Sequence, residues 1–114
     1  MKTTQPFNGR PVVIIKIHQS VIAQKGGVYD AVRSCWRVNQ KQVDGRAVIA
    51  VEIESNDIVG VYDVNPGAWV PCPTVPNRKE FNTTPVPPVW GAPLLGTQLP
   101  RKYRTGRNPI RYVN

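Results

Sequence analysis

Acidic side chains are missing from both ends of this sequence. All seven Asp and Glu residues lie between Asp30 and Glu80, against 15 Lys and Arg residues and a net charge of +8. Before Asp30 the only charged residues are Lys2, Arg10, Lys16 and Lys25, and the tail carries Arg101, Lys102, Arg104, Arg107 and Arg111 with no acid among them. Histidine is almost absent, with His18 alone, which leaves little material for a metal cluster or a relay of bases. No glycine loop of the usual phosphate-binding kinds is present, and Gly26-Gly27 alone is a weak signal. Long apolar runs are missing too: no stretch of about 18 residues suits a membrane span, and no leader of the secretory type is recognisable. There is no internal repeat.

Cysteine is scarce. Cys35 and Cys72 do not make a disulfide framework, and neither has a metal-type companion at short spacing. Cys35 reads as a small core residue beside an apolar face, and Cys72 sits between two prolines. A reducing, cytoplasmic location is the default expectation. No cofactor, metal or membrane partner is implied.

With 114 residues, the chain fits one domain with one modest core. Residues 12–17, VVIIKI, read as a central strand buried on both faces. Two glycines then open the segment that organises the rest, residues 26–39, GGVYDAVRSCWRVN. Tyr29, Val32 and Trp36 fall on one helical face. Arg33 and Arg37, four apart, fall on another and can act together. Residues 47–54 and 58–64 read as a hairpin turning at Ser55-Asn56-Asp57, with Gly60 at a candidate bulge. Eight of the twelve prolines lie between residues 66 and 93, a composition that predicts a long loop, edge or polyproline II segment. Trp69 and Trp90 within it either pin the loop to the body or line a pocket. Residues 108–114 close the chain with a short strand-like piece. The expected fold is therefore α+β, a small curved sheet or β-barrel with one or two short helices, a proline-rich loop over residues 66–93 and a basic segment over 101–114. Helical patterns are too few for a doubly wound sheet.

Three pieces in this order, VYDAVRSCWRV, then AVIAVEIESNDIVGVYDV followed by AWVP, then GRNPIRYVN, resemble a small domain of prokaryotic and phage proteins. That domain is related to the PUA-like group, which includes the EVE and ASCH domains. The resemblance covers about half the chain in pieces. It implies a compact β-barrel that binds RNA, or a modified or flipped base of DNA in an aromatic-walled pocket. It carries Trp36, Arg37, Trp69, Asn108 and Arg111 forward as site positions. The proline-rich stretch departs from the pattern.

The residues themselves suggest the same partner. Arg and Lys neutralise phosphates, and aromatic rings stack on unpaired bases. In the tail Tyr103 is interleaved with Arg101, Lys102, Arg104 and Arg107 in a composition suited to an arm lying along a nucleic-acid backbone. Tyr103 reads equally as an anchor, Arg33 and Arg37 equally as ion-pair partners, Trp36 as core and Asn108 as a turn former. No enzyme is expected. His18 with Cys35 would need the fold to bring them together, and Glu52 with Glu54 reads as a solvated strand face. A third reading makes the chain a phage or mobile-element module that blocks a host nucleoprotein or defence complex. Its basic face and its proline clusters around Cys72 and residues 85–90 would carry that contact.

Overall fold

The structure is a computed structural model, described here for residues 7, 9–33, 35–106 and 108–113. Its centre is the apolar run of the sequence, β1 (Val12–Ile17). A strand buried on both faces needs neighbours on both edges. β1 pairs in parallel with β2 (Ala47–Glu52), which pairs antiparallel with β3 (Ile58–Tyr62), while β6 (Ile110–Val113) lies antiparallel on the other side of β1. The order is β3-β2-β1-β6, an open mixed sheet and not a closed barrel. The expected hairpin is present. Its register slips between the pairs Ala50–Gly60 and Val51–Ile58, so Val59 is the extra residue, next to the glycine that signals the bulge.

Period-two alternation sorts the side chains into two cores. Val13, Ile15, Ile17, Val48, Ala50 and Tyr62 face one layer, and Val12, Ile14, Ile49, Val51, Ile58 and Val61 the other. The first layer holds three short helices, α1 (Gln19–Lys25), α2 (Val28–Arg33) and α3 (Gln40–Val43), together with a two-stranded ribbon, β4 (Trp69–Pro71) and β5 (Lys79–Phe81). The helical count exceeds the one or two expected. α1 stops where Gly26 takes a left-handed φ of 85° and the amides of Gly26 and Gly27 return to Ala23 and Ile22, the closure that a glycine makes without strain. α3 is one turn started by Asn39, whose Oδ1 accepts from the amides of Lys41 and Gln42.

Two sequence expectations fail in this layer. The helix beginning at Val28 ends at Arg33 and does not run on to Trp36. Trp36 instead bridges Lys79 in extended conformation, each residue's amide bonded to the other's carbonyl at 2.9 Å. The ladder on β5 replaces the helical bonds the segment would have made. The second correction is Cys35, which is joined to Cys72 in a disulfide across 37 residues. Sequence spacing hides this pairing, because only the docking of the ribbon brings the two sulfurs together. The bond also removes the ground for expecting a reducing compartment, since that expectation took the cysteines as unpaired. Among the described residues no helix is long and apolar enough to cross a membrane.

Tyr62, 5% exposed, packs against Tyr29 and Phe81 with ring centroids 5.4 and 6.2 Å away. Burial, aided by Tyr29 and Asp30 nearby, pushes its phenol up to about 12.

The second layer is irregular. Residues 88–104 cross the opposite face with only two 3-10 turns, Ala92–Leu94 and Arg101–Tyr103. The backbone is nonetheless anchored. The Ile58 amide donates to Thr97, the Gly96 amide to Ile58 and the Leu99 amide to Asn56, so the segment lies along the free edge of β3. A Cβ built on Gly91 would come within 2.3 Å of Val61 Cγ1, so the absence of a side chain there lets the layer touch the sheet.

Candidate nucleic-acid interface

The tail does not hang free. Tyr103, half-buried, stacks on Phe7 at 5.8 Å between centroids. Arg111 lies 5.5 Å and Lys102 5.1 Å from the centre of the same ring. β6 explains Arg111: its register partner is Ile14, so it shares that residue's face of the sheet and falls beneath the tail. The Arg111 guanidinium also donates to the Thr105 carbonyl at 3.4 Å. Arg104 donates through Nε to the Leu99 carbonyl at 2.6 Å and through Nη2 to Gln98 at 3.3 Å. Its own carbonyl accepts from Lys16 Nζ at 2.9 Å.

Lys102 and Arg111 thus flank one tyrosine; Arg101 and Arg104 are its near neighbours in the chain, and Lys16 joins them through the Arg104 carbonyl. Among the described residues the ion pair is elsewhere, between Arg33 and Glu80 at 3.4 Å, and none of the five cations has a carboxylate partner there. Gln98, which accepts from Arg104, also reaches an acid: its Nε2 lies 3.5 Å from Asp57 Oδ1. Bonds to neutral carbonyls leave the positive charge uncompensated, and each Lys or Arg retains donors beyond those it spends on the chain. Such a surface attracts polyanions, and its arginines suit bidentate contact with phosphate oxygens.

The other expected positions scatter. Arg33, at the end of α2, pairs with Glu80, donates to Asn82 and lies 6.0 Å over the Tyr29 ring; it clamps α2 to the ribbon. Arg37 is exposed, and because the helix stops at Arg33 the two do not share a helical face. Trp69 is 3% exposed, packed on Phe81 at 4.9 Å, and its Nε1 has no hydrogen-bond partner among the described residues. It is core, not a pocket wall. Trp36 donates from Nε1 to the Val32 carbonyl at 2.7 Å and lines a separate cavity. Asn108 is a turn former: its Oδ1 accepts the Ile110 amide at 2.9 Å. Arg107 lies outside the described residues.

Sequence reasoning missed Lys16, although it is the lone charge in VVIIKI and such an interruption is a visible signal. It also missed Arg10, whose guanidinium stands 4.9 Å over the ring of Trp90, while Trp90 Nε1 donates to Asp63 at 3.0 Å. That pinning is one of the two roles expected for Trp90. Comparison of the chain with protein-family models, with curated proteins and with solved structures finds no match.

Proposed function

We propose that the protein binds nucleic acid through phosphate contacts on the face built by Lys16 and residues 98–111. The observation that carries this reading is the placing of Lys102 and Arg111 on Tyr103, with Arg101, Arg104 and Lys16 adjoining, and no carboxylate partner for any of the five among the described residues. Tyr103 is already stacked on Phe7, which favours a role as anchor over a platform for bases. The face therefore suits backbone contacts, which position a ligand without reading its sequence. We also propose a binding module and not an enzyme. Cys35 is cross-linked, so the thiolate that a His18–Cys35 pair would need is not formed. Kinship to PUA-like domains belongs to the same proposal. The small α+β architecture supports it, and the open sheet departs from the barrel it implies.

The test is fluorescence anisotropy with labelled single- and double-stranded DNA and RNA across a salt series. Four to five neutralised phosphates give a logarithmic salt slope near −4 on duplex, so affinity falls by about two to three orders of magnitude between 50 and 200 mM salt. Arg101→Gln with Lys102→Gln should reduce that slope by about 2. Both side chains are exposed and neither holds the backbone. Absence of binding at low salt would sink the proposal.

A second reading, a protein-docking module, rests on Val86 and Val89, 65% and 93% exposed among prolines 85, 87 and 88. Deleting the arm is no test of it, because residues 74–88 include β5 and the buried Phe81. Val86→Ser with Val89→Ser is the cleaner probe, and unchanged partner capture would reject that reading.

A further inference from the structure

Beyond this phosphate face, a cavity of about 250 Å³ opens where β1 ends, lined by Lys16, Ile17, His18, Val21, Trp36, Ile53 and Pro109. Its place in the fold is informative. β1 and β2 are parallel neighbours joined through the helical layer; Ile17 ends β1 and Ile53 follows the end of β2, and the Ile53 amide donates to the Ile17 carbonyl at 2.9 Å. In open α/β sheets ligands bind outside the carboxyl ends of the parallel strands, and this cavity lies at that end of the parallel pair β1 and β2.

The chemistry of the lining is selective. Five of the seven residues offer apolar surface, and one is a tryptophan whose ring is fixed by its bond to Val32. The remaining two, Lys16 and His18, both offer N–H donors, and no acid joins them. Lys16 gives one bond to Arg104 and keeps two donors. A volume just below the roughly 300 Å³ at which drug-sized pockets begin limits the occupant to one or two rings.

We propose that this cavity binds a small planar carboxylate, its ring against Trp36 and its negative group toward Lys16 and His18. The flat apolar body matches the aromatic wall. An anion is the one charge that this lining welcomes.

The test is an amide and indole NMR titration of the full chain with benzoate, with neutral benzyl alcohol as the uncharged counterpart and adenosine and cytidine as nucleoside arms. Benzoate should produce saturable shifts at Trp36 Nε1 and at Lys16, His18, Val21 and Ile53, leaving Trp69 Nε1 and Trp90 Nε1 unmoved. Benzyl alcohol should bind about tenfold more weakly or worse. Lys16→Met should weaken benzoate by about tenfold and spare benzyl alcohol, the size expected for one charge-assisted bond. Val21→Phe should block both by filling the space. If that variant does not fold, the wild-type titration and Lys16→Met still decide. The proposal is overturned by non-saturating benzoate shifts, by shifts confined to residues 101–111, by Lys16→Met behaving as wild type, or by a nucleoside binding better than benzoate. Lys16 is shared with the phosphate face, so Lys16→Met is judged here by benzoate against benzyl alcohol; that face is tested separately by the anisotropy slope of Arg101→Gln with Lys102→Gln, at residues that do not line this cavity.

Discussion

Opening the Cys35–Cys72 bond should cost a large share of the protein's stability. The bond closes a loop of 37 residues, and the chain-entropy relation for a loop of that size gives about 4 kcal/mol at room temperature. For a domain of this length, 1 kcal/mol corresponds to about 4 °C in melting temperature, so reduction should lower Tm by roughly 15 °C. The native contacts around the bond survive its loss on paper. Trp36 and Lys79 keep their paired backbone bonds at 2.9 Å, and the Cys72 amide still donates to Arg78 at 2.8 Å. Reduced protein should therefore remain folded at room temperature with its ribbon docked, only melting earlier.

The assay is thermal unfolding followed by circular dichroism, with and without reductant, alongside Cys35→Ser with Cys72→Ser. Thiol titration of the native protein fixes the starting state. The double variant and the reduced wild type should melt together, and reductant should leave the variant unmoved. A native protein that shows two reactive thiols without reductant would refute the reasoning. So would a wild-type Tm that reductant does not change.

Further outcomes follow from the same structure. Raising the pH should destabilise the fold from about pH 10 upward, because Tyr62 is held neutral up to about 12 when folded and ionises at 10.0 when exposed. The neutral form is the one that the fold favours, so stability is complete below pH 10 and is lost between 10 and 12, by about 2–3 kcal/mol. An ultraviolet phenolate titration with no late-ionising tyrosine before unfolding would contradict this. Gly91→Ala should cost about 1–3 kcal/mol in urea unfolding, because the added methyl meets Val61 Cγ1 at 2.3 Å; a neutral result would mean that the cover layer does not press on β3. Leu99→Ala should cost about 2–5 kcal/mol, since Leu99 is fully buried under the cation-bearing segment. It should also weaken nucleic-acid binding without changing any charge, and unaltered affinity in a folded Leu99→Ala protein would count against a preset surface.

Elements whose signal is local were legible in the sequence. VVIIKI announces β1 because five of its six residues are β-branched and apolar, and the hairpin announces itself through alternation on either side of a turn. Elements set by tertiary contact were not legible. α1 and α3 are short, and α1 has no fully buried residue, so its apolar stripe is too faint to separate from a loop. The end of α2 is decided by a ladder to Lys79, more than forty residues away, which no local propensity reports. The proline-rich stretch hides β4 and β5 because three-residue strands leave almost no alternation to detect, and Pro71 takes part in β4 itself. Of the site, the tail cations were visible from composition. Arg111 was among them, and Lys16 joined them only through its bond to the Arg104 carbonyl, which the fold creates. Trp69 looked like a loop aromatic until the ribbon folded it onto Phe81.

The way the cations are held bears on how they would work. A flexible basic arm, the form that the tail composition suggests, loses freedom when it settles on a ligand, at about 0.5–1.5 kcal/mol for each long side chain immobilised. Here much of that ordering occurs during folding. Arg104 is tied at both ends of its guanidinium to residues 98 and 99, and residues 96–99 are bonded along β3. Tyr103 is fixed on Phe7 and flanked by Arg111 and Lys102. The surface proposed to meet a polyanion is therefore largely set before contact, and less of any electrostatic gain would be spent on ordering it. The same anchoring limits discrimination. The aromatic ring that could read a base is occupied, and the indole of Trp69 is sealed in the other layer, so selectivity has to come from the spacing of charges along the face. On the proposed reading, a ligand whose phosphates match that spacing, and not a particular sequence, is the one this arrangement should prefer.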